Sequence, residues 1–145
     1  MVKSFVPLTD VWKEKKRKGA RLDMTSVFAG QVADAERDIW LDRKNHLHVE
    51  DRISASGRDI EVRWTMMTPA EAEIISEKEI RLEKNGHRMV LRFESSGLEA
   101  LPFVLPDDPP HEYDAPNPGT CRVGFTVTVP AGAEAVLMAS LVPVR

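Results

Sequence analysis

The stretch HLHVEDRISASGRDIEVRW, from His46 to Trp64, brings two histidines, an Asp-Arg pair and a tryptophan close together. His46 and His48 stand two residues apart, so on a strand both project from one face. That spacing suits a pair of metal ligands. Zinc sites take three or four ligands, however, and no third follows at a recognisable spacing. The two are therefore read as solvent-facing histidines beside a turn. Asp51 is the sharper candidate. The alternation of apolar residues places it on the apolar face, opposite Val62. A carboxylate there must be paired, hydrogen-bonded or neutral. Arg52 projects the other way, and Arg37 or Arg63 approaches only if the register slips. The functional reading is an acid with a perturbed pKa. The structural reading is a carboxylate receiving backbone N–H bonds where two sheets cross. The structural reading is preferred, because no base, nucleophile or oxyanion donor accompanies Asp51.

Two further segments carry binding chemistry. DDPPHEYDAPN collects Asp107, Asp108, Glu112 and Asp114, but it lacks the ligand spacing of a calcium loop. Its Tyr113 offers an aromatic face with a polar tip, suited to stacking on a sugar ring or to packing within the loop. KEKKRKGAR holds Lys13, Lys15, Lys16, Arg17, Lys18 and Arg21. Such cations can contact a sulfated or uronic polysaccharide, although runs of this kind more often form a solvated surface. Trp12, just before the run, is expected to anchor it. The candidates for substrate contact are thus Tyr113, Lys15, Lys16 and Arg17. Cys121 is the single cysteine, which excludes an internal disulfide framework and a multi-cysteine zinc site. With no activating partner beside it, Cys121 reads as an inert thiol. Nucleophile-elbow, phosphate-loop, zinc-protease and dinucleotide-binding patterns do not occur. No catalytic residue, metal or cofactor is expected.

The elements that must position these residues are strands. In KEIRLEKNGHRMVLRF, Asn85-Gly86 is a two-residue hairpin signal, because both central residues of a type I′ turn need positive φ. It pairs Lys84 with His87, Leu82 with Met89 and Ile80 with Leu91, so turn and apolar pattern select one register. A three-residue loop, Arg43-Lys44-Asn45, pairs Leu41 with Leu47 and Ile39 with Val49, with Asn45 left-handed. A turn at Ser56-Gly57 then sets Ile53 against Ile60 and Val49 against Trp64. Strands over about 37–42, 46–54 and 60–67 form a meander with one apolar face. CRVGFTVTVP alternates Val123, Phe125, Val127 and Val129, and EAVLMASLVPV returns after a turn at 130–133 as its partner. LPFVLPDDPPHEYDAPNPGT is a long loop, since proline forbids a central strand from Pro106 to Pro118. TPAEAEII resembles a helix start at Thr68 and Pro69, but the β-branched Ile74-Ile75 favours a strand over about 72–76. TDVWKEKKRKG, with Thr9 or Asp10 as N-cap and Gly19 as stop, is expected to form a short helix. Trp64 reads as core. Trp40, out of phase with Ile39 and Leu41, falls on the second face, against a neighbour that this chain lacks.

The bulk composition agrees. A chain of 145 residues suits one domain, and 42% hydrophobic residues support a core. Net charge −3 gives no field favouring nucleic acid, and no apolar run has the length of a membrane helix. MVKSFVPLTD lacks the apolar stretch of a signal peptide. Roughly seven to nine short antiparallel strands at close turn spacing indicate an all-β sandwich with a short N-terminal helical segment.

HLHVEDRISASGRDIEVRWTMMTPAEAEI, followed by IRLEKNGHRMVLRF, resembles the C-terminal β-region of bacterial heparinase II/III-like polysaccharide lyases. Those chains show a similar order: a basic segment ending in arginine, a strand, V-x-D-R-I, a turn, V-x-W-x-x-x-T and then a strand pair of the L-x-x-G-x-x-L-x-L kind. APNPGTCRVGFTVTVPAG is similar to their closing strands, and the likeness runs over about residues 7–143. The resemblance implies an antiparallel β-sandwich joined to an α/α-toroid that cleaves uronic-acid polysaccharides by β-elimination. The asparagine, tyrosine and histidine catalysts of that family lie mainly on the toroid, so none carries over. The chain is then expected to be an excised C-terminal piece of a periplasmic or extracellular lyase. Its partners would be the toroid of the same chain and an acidic polysaccharide. The alternatives are a free-standing carbohydrate-binding module and a structural interaction domain with no sugar role.

Overall fold

The computed structural model describes residues 8–14, 17–28, 30–106 and 119–144. Among them are eleven strands: β1 (Leu8–Glu14), β2 (Arg17–Asp23), β3 (Val32–Leu41), β4 (Leu47–Ala55), β5 (Ile60–Thr68), β6 (Glu71–Ser76), β7 (Glu79–Lys84), β8 (His87–Glu94), β9 (Ala100–Pro106), β10 (Cys121–Val129) and β11 (Glu134–Val144). One 3₁₀ turn, Thr25–Phe28, stands before β3. The strands make two antiparallel sheets. The larger has the order β1-β2-β3-β4-β11-β8-β7-β6, and the smaller β5-β10-β9.

Where local chemistry dictates a hairpin, it forms. Asn85 and Gly86 take φ of 53° and 78°, and Lys84, Leu82 and Ile80 pair with His87, Met89 and Leu91. Asn45 takes φ 61° in the β3–β4 loop, and Leu41 and Ile39 pair with Leu47 and Val49. The Asp42 carboxylate holds that loop by accepting the backbone N–H groups of Lys44 (2.8 Å) and His46 (3.0 Å). The segment 71–76 is strand β6, as its β-branched pair favours.

The two inner faces meet in one core. The large sheet contributes Ile53, Ile80, Leu82, Leu91, Phe93 and Leu137, and the small sheet contributes Trp64, Val123, Phe125, Val127 and Val129. The Phe93 and Phe125 rings stack across the gap, with centroids 4.3 Å apart and planes inclined by 7°. Both are fully buried. Burying each such side chain stabilises the fold by about 1.5–3 kcal/mol.

Four expectations are corrected. Residues 9–14 and 17–19 form no helix. They belong to strands β1 and β2, in which Val11 pairs with Ala20 and Lys13 with Lys18. A helix this short is marginal by itself, whereas β2 gains a ladder of hydrogen bonds along β3. The meander is also wrong in its third strand. β5 leaves the sheet of β4 and pairs with β10. Val49 and Trp64 therefore line one cleft from opposite sheets rather than pairing side by side. Likewise β10 and β11 are not partners, because β11 lies between β4 and β8. The corners at 56–59 and 130–133 thus both step between sheets, and they are tied together. Gly132 donates its N–H to the Ser56 carbonyl (2.9 Å), and Ala131 donates to the Asp59 carboxylate (2.9 Å). Finally, the proline-rich stretch begins as a strand. β9 carries Pro102 and Pro106 but lies at the edge of its sheet, where proline is tolerated. The remainder, 107–118, lies outside the described residues.

Phe93→Ala is expected to destabilise the chain by about 3–5 kcal/mol, measured by urea unfolding, because it opens a cavity at the sheet–sheet contact. A loss below about 1 kcal/mol would show that this contact does not organise the core.

Candidate functional site

Asp51 points into the inter-sheet region and is 6% exposed. Its partner is Arg37, directly across the β3–β4 ladder. Arg37 Nε donates to Oδ1 at 2.7 Å and Nη2 to Oδ2 at 2.9 Å, a two-point ion pair. The expectation of backbone N–H donors, with Arg37 reaching Asp51 only after a slip, is corrected. A register that pairs Ile39 with Val49 continues, two residues on, to Arg37 and Asp51. The hydrogen bond and charge of Asp51 raise the Arg37 pKa above its ordinary value, against the opposing effect of burial. Each charge is neutralised by the other. The arrangement is a structural clamp and offers no free acid or base.

The outer face of the large sheet holds a second polar cluster. One cross-strand row runs Gly19, Trp40, His48, Ser140, Arg92 and Glu79 through six neighbouring strands. His48 stacks on Trp40 with centroids 5.3 Å apart. Its Nδ1 lies 2.8 Å from Ser140 Oγ and its Nε2 lies 2.9 Å from Asp42 Oδ2. An ionised Asp42 carboxylate can only accept, so Nε2 donates to it. His46 Nδ1 is 3.6 Å from the same carboxylate oxygen. The two histidines therefore point away from the core, as expected, but they are half-buried and engaged rather than simply solvated. Trp40 is only 8% exposed, so it presents no bare face to an absent neighbour. Gly19 makes room for it. A Cβ at that position would lie 2.7 Å from Trp40 Cβ and 2.2 Å from the Ile39 carbonyl oxygen.

Asp42, His48 and Ser140 have the residue types of a nucleophilic triad. Their surroundings do not complete one. β4 and β11 are both central strands whose backbone N–H groups are engaged in ladders. Neither strand therefore offers a pair of free backbone N–H groups beside Ser140 to hold an oxyanion. Among the described residues, no three His, Cys, Asp or Glu side chains converge as metal ligands. Cys121 is half-buried, with Sγ 3.7 Å from the Ala70 carbonyl oxygen.

Of the residues singled out for substrate contact, Tyr113, Lys15 and Lys16 lie outside the described residues. Arg17 opens strand β2. The topology places the flanks of both segments at one end of the sandwich. That end carries the Glu14 and Arg17 termini of β1 and β2, the 42–46 loop, and the Pro106 and Cys121 termini of β9 and β10. An apolar cleft of about 240 Å³ opens between the sheets and is lined by Leu47, Val49, Trp64, Met66, Leu91 and Leu141, among others.

No protein-family model and no curated protein matches the chain. Its fold is nevertheless shared. It superposes on a crystal structure of heparinase III with TM-score 0.69 and 13% identity, covering 96% of this chain and 21% of that one. A second heparinase III gives TM-score 0.65 and 13% identity over 97% of this chain and 22% of that one. The heparan sulfate lyase HepC from Pedobacter heparinus gives 0.63 and 12% over 99% and 22%. The chain spans about a fifth of the length of these structures. The β-sandwich is thus the fold of one region of heparinase III, and the resemblance noted in its strand motifs holds at the level of the fold.

Two predictions follow the polar clusters. Arg37→Met is expected to cost about 2–4 kcal/mol in urea unfolding, because it leaves Asp51 buried and unpaired while Arg37 itself keeps 31% exposure. The double variant Arg37→Met/Asp51→Leu should recover to within about 1 kcal/mol of the parent chain. No recovery would mean that the clamp does more than neutralise a buried charge. The Asp42 carboxyl is lowered from 3.8 to about 2, first by the His48 hydrogen bond and then by the His46 N–H. Its ionised form therefore favours folding, fully above the ordinary value and less as pH falls through the folded one. Asp42→Asn should be less stable than the parent at about pH 6, with the gap closing near about pH 2. A gap that stays constant across this range would count against the ionised carboxylate as the group that holds the loop.

Proposed function

We propose that this chain is the non-catalytic β-sandwich portion of a heparinase-III-like polysaccharide lyase. In this reading it buttresses an α/α-toroid of the same parent chain and lines one side of the substrate cleft. The parent enzyme would act outside the cytoplasm, in the periplasm or beyond, on a uronic-acid polysaccharide. There a base removes the C5 proton and an acid protonates the leaving oxygen. Those groups would come from the toroid. Tyr113 and the cations from Lys13 to Arg21 are the proposed cleft contacts of the sandwich.

The observation that carries the reading is the asymmetry of coverage. Nearly all of this chain superposes on heparinase III, but only about a fifth of heparinase III is accounted for. The polar clusters support the non-catalytic part, since Arg37–Asp51 and Asp42–His48–Ser140 are consumed in structural hydrogen bonds.

The 145-residue chain, incubated with heparan sulfate and with alginate, should release no unsaturated uronide and show no micromolar binding by calorimetry. Turnover would overturn the non-catalytic reading. Micromolar, salt-sensitive binding would favour a free-standing carbohydrate-binding module instead. The native gene product should be several times longer than 145 residues and carry a helical domain upstream. A native product of this length would sink the proposal.

A further inference from the structure

The two outer faces of the sandwich differ in kind. On the large sheet, cation meets carboxylate: Arg21 with Asp38, Arg52 with Glu50, Arg81 with Glu73, Arg88 with Glu83 and Arg92 with Glu79. That is a solvated, ion-paired surface. The outer face of the small sheet is built otherwise. Its rows are Met67–Arg122–Leu105, Thr65–Gly124–Phe103, Arg63–Thr126–Leu101 and, at the far end, Glu61–Thr128. Leu101 is 57% exposed, Met67 52% and Leu105 37%. The Phe103 ring lies across Gly124, so close that a Cβ there would come within 3.1 Å of Cζ. The Arg63 guanidinium sits over that ring, 5.4 Å from its centroid. Among the described residues, no carboxylate lies within ion-pairing distance of Arg63.

We infer that this outer face, centred on Phe103 with Met67, Leu101, Leu105 and Arg63, docks an apolar, carboxylate-bearing surface supplied by the larger remainder of the parent chain. The inference rests on the proposed reading of the chain as part of a longer lyase. Three exposed aliphatic side chains around an aromatic ring, with the arginines Arg63 and Arg122, have the composition of a protein–protein contact. A sugar platform would expose the ring itself, whereas Arg63 covers Phe103. Charge complementarity then calls for a carboxylate opposite Arg63. Size selects the source. Three strands of about seven residues cover about 350 Å² a side, or about 700 Å² in all. That falls within the range of about 600–1,500 Å² for interfaces between domains of one chain. It falls short of the roughly 1,200–2,000 Å² typical of stable complexes between separate molecules. A covalent tether supplies the effective concentration that so small a contact needs.

Methionine oxidation by hydrogen peroxide, read by mass spectrometry, tests this on the 145-residue chain and on the full-length gene product. Met67 should oxidise about tenfold more slowly in the full-length protein. Met138, on the outer face of the large sheet, should react equally in both. In the full-length protein, Arg63→Glu should return Met67 to the faster rate, and Leu101→Asp provides a second, independent disruption. Equal Met67 rates in a full-length protein that is a longer lyase would overturn the docking face while leaving the proposed function intact. A native product no longer than the present chain would remove the proposed function and this inference together. Met67 protection that appears only with an added heparin hexasaccharide, or only as the short chain is concentrated, would overturn the inference in favour of a saccharide surface or a second copy.

Discussion

Two phenyl rings, Phe93 from the eight-stranded sheet and Phe125 from the three-stranded one, meet in parallel at the centre of the molecule. Every other feature depends on the two sheets being held at that separation. Neither sheet is stable as an isolated layer, because each has one face of valine, isoleucine, leucine and phenylalanine that only the other can cover. The chain secures the stack by crossing between the layers at two adjacent corners. β4 and β11 are neighbours in one sheet, β5 and β10 are neighbours in the other, and the corners joining them exchange hydrogen bonds. A shift of one layer over the other would strain both corners at once.

Among the described residues, the Arg37–Asp51 pair is the one charged insertion on the core side of this arrangement. Removing two ions from water is costly, so the pair is a poor source of net stability. What it supplies is alignment. A slip of β3 against β4 by one residue would strand a carboxylate among apolar groups and turn Arg37 to the outer face. The same alignment sets Trp40 beside His48, and His48 between Asp42 and Ser140. Residues whose types suggest catalysis are thus tied to neighbouring strands by hydrogen bonds, one set on each side of the same sheet.

The contrast between what was legible in the sequence and what was not has a physical basis. Hairpins closed by Asn85-Gly86 and by Asn45 were legible because turn chemistry and apolar alternation are both local. The sheet to which a strand belongs was not. Period-two alternation shows which residues of 60–68 face a core, but β5 satisfies it equally well beside β4 or across from it. The hydrogen bond between His48 and Ser140 joins residues 92 apart, beyond any spacing rule. The N-terminal hairpin was not legible, because its capping signals are helical and its strand partner, β3, lies downstream. The Arg37–Asp51 contact was legible, since extending the Ile39–Val49 register by two residues reaches it. The apolar face around Phe103 gave little warning, because prolines marked its strand as loop.

The prolines of β9 have a further meaning for how the molecule meets other polypeptides. In an antiparallel ladder, alternate residues direct their N–H groups to the partner or away from it. Pro102 and Pro106 have no N–H and are spaced so that both fall on the side away from β10. That rim is left with few donors, and a stray strand finds little to grip. At the opposite rim, β5 runs nine residues without a proline and bonds only to β10 among the described strands. The small sheet is therefore polarised, sealed along one margin and open along the other, and any growth by strand addition is steered to the β5 side.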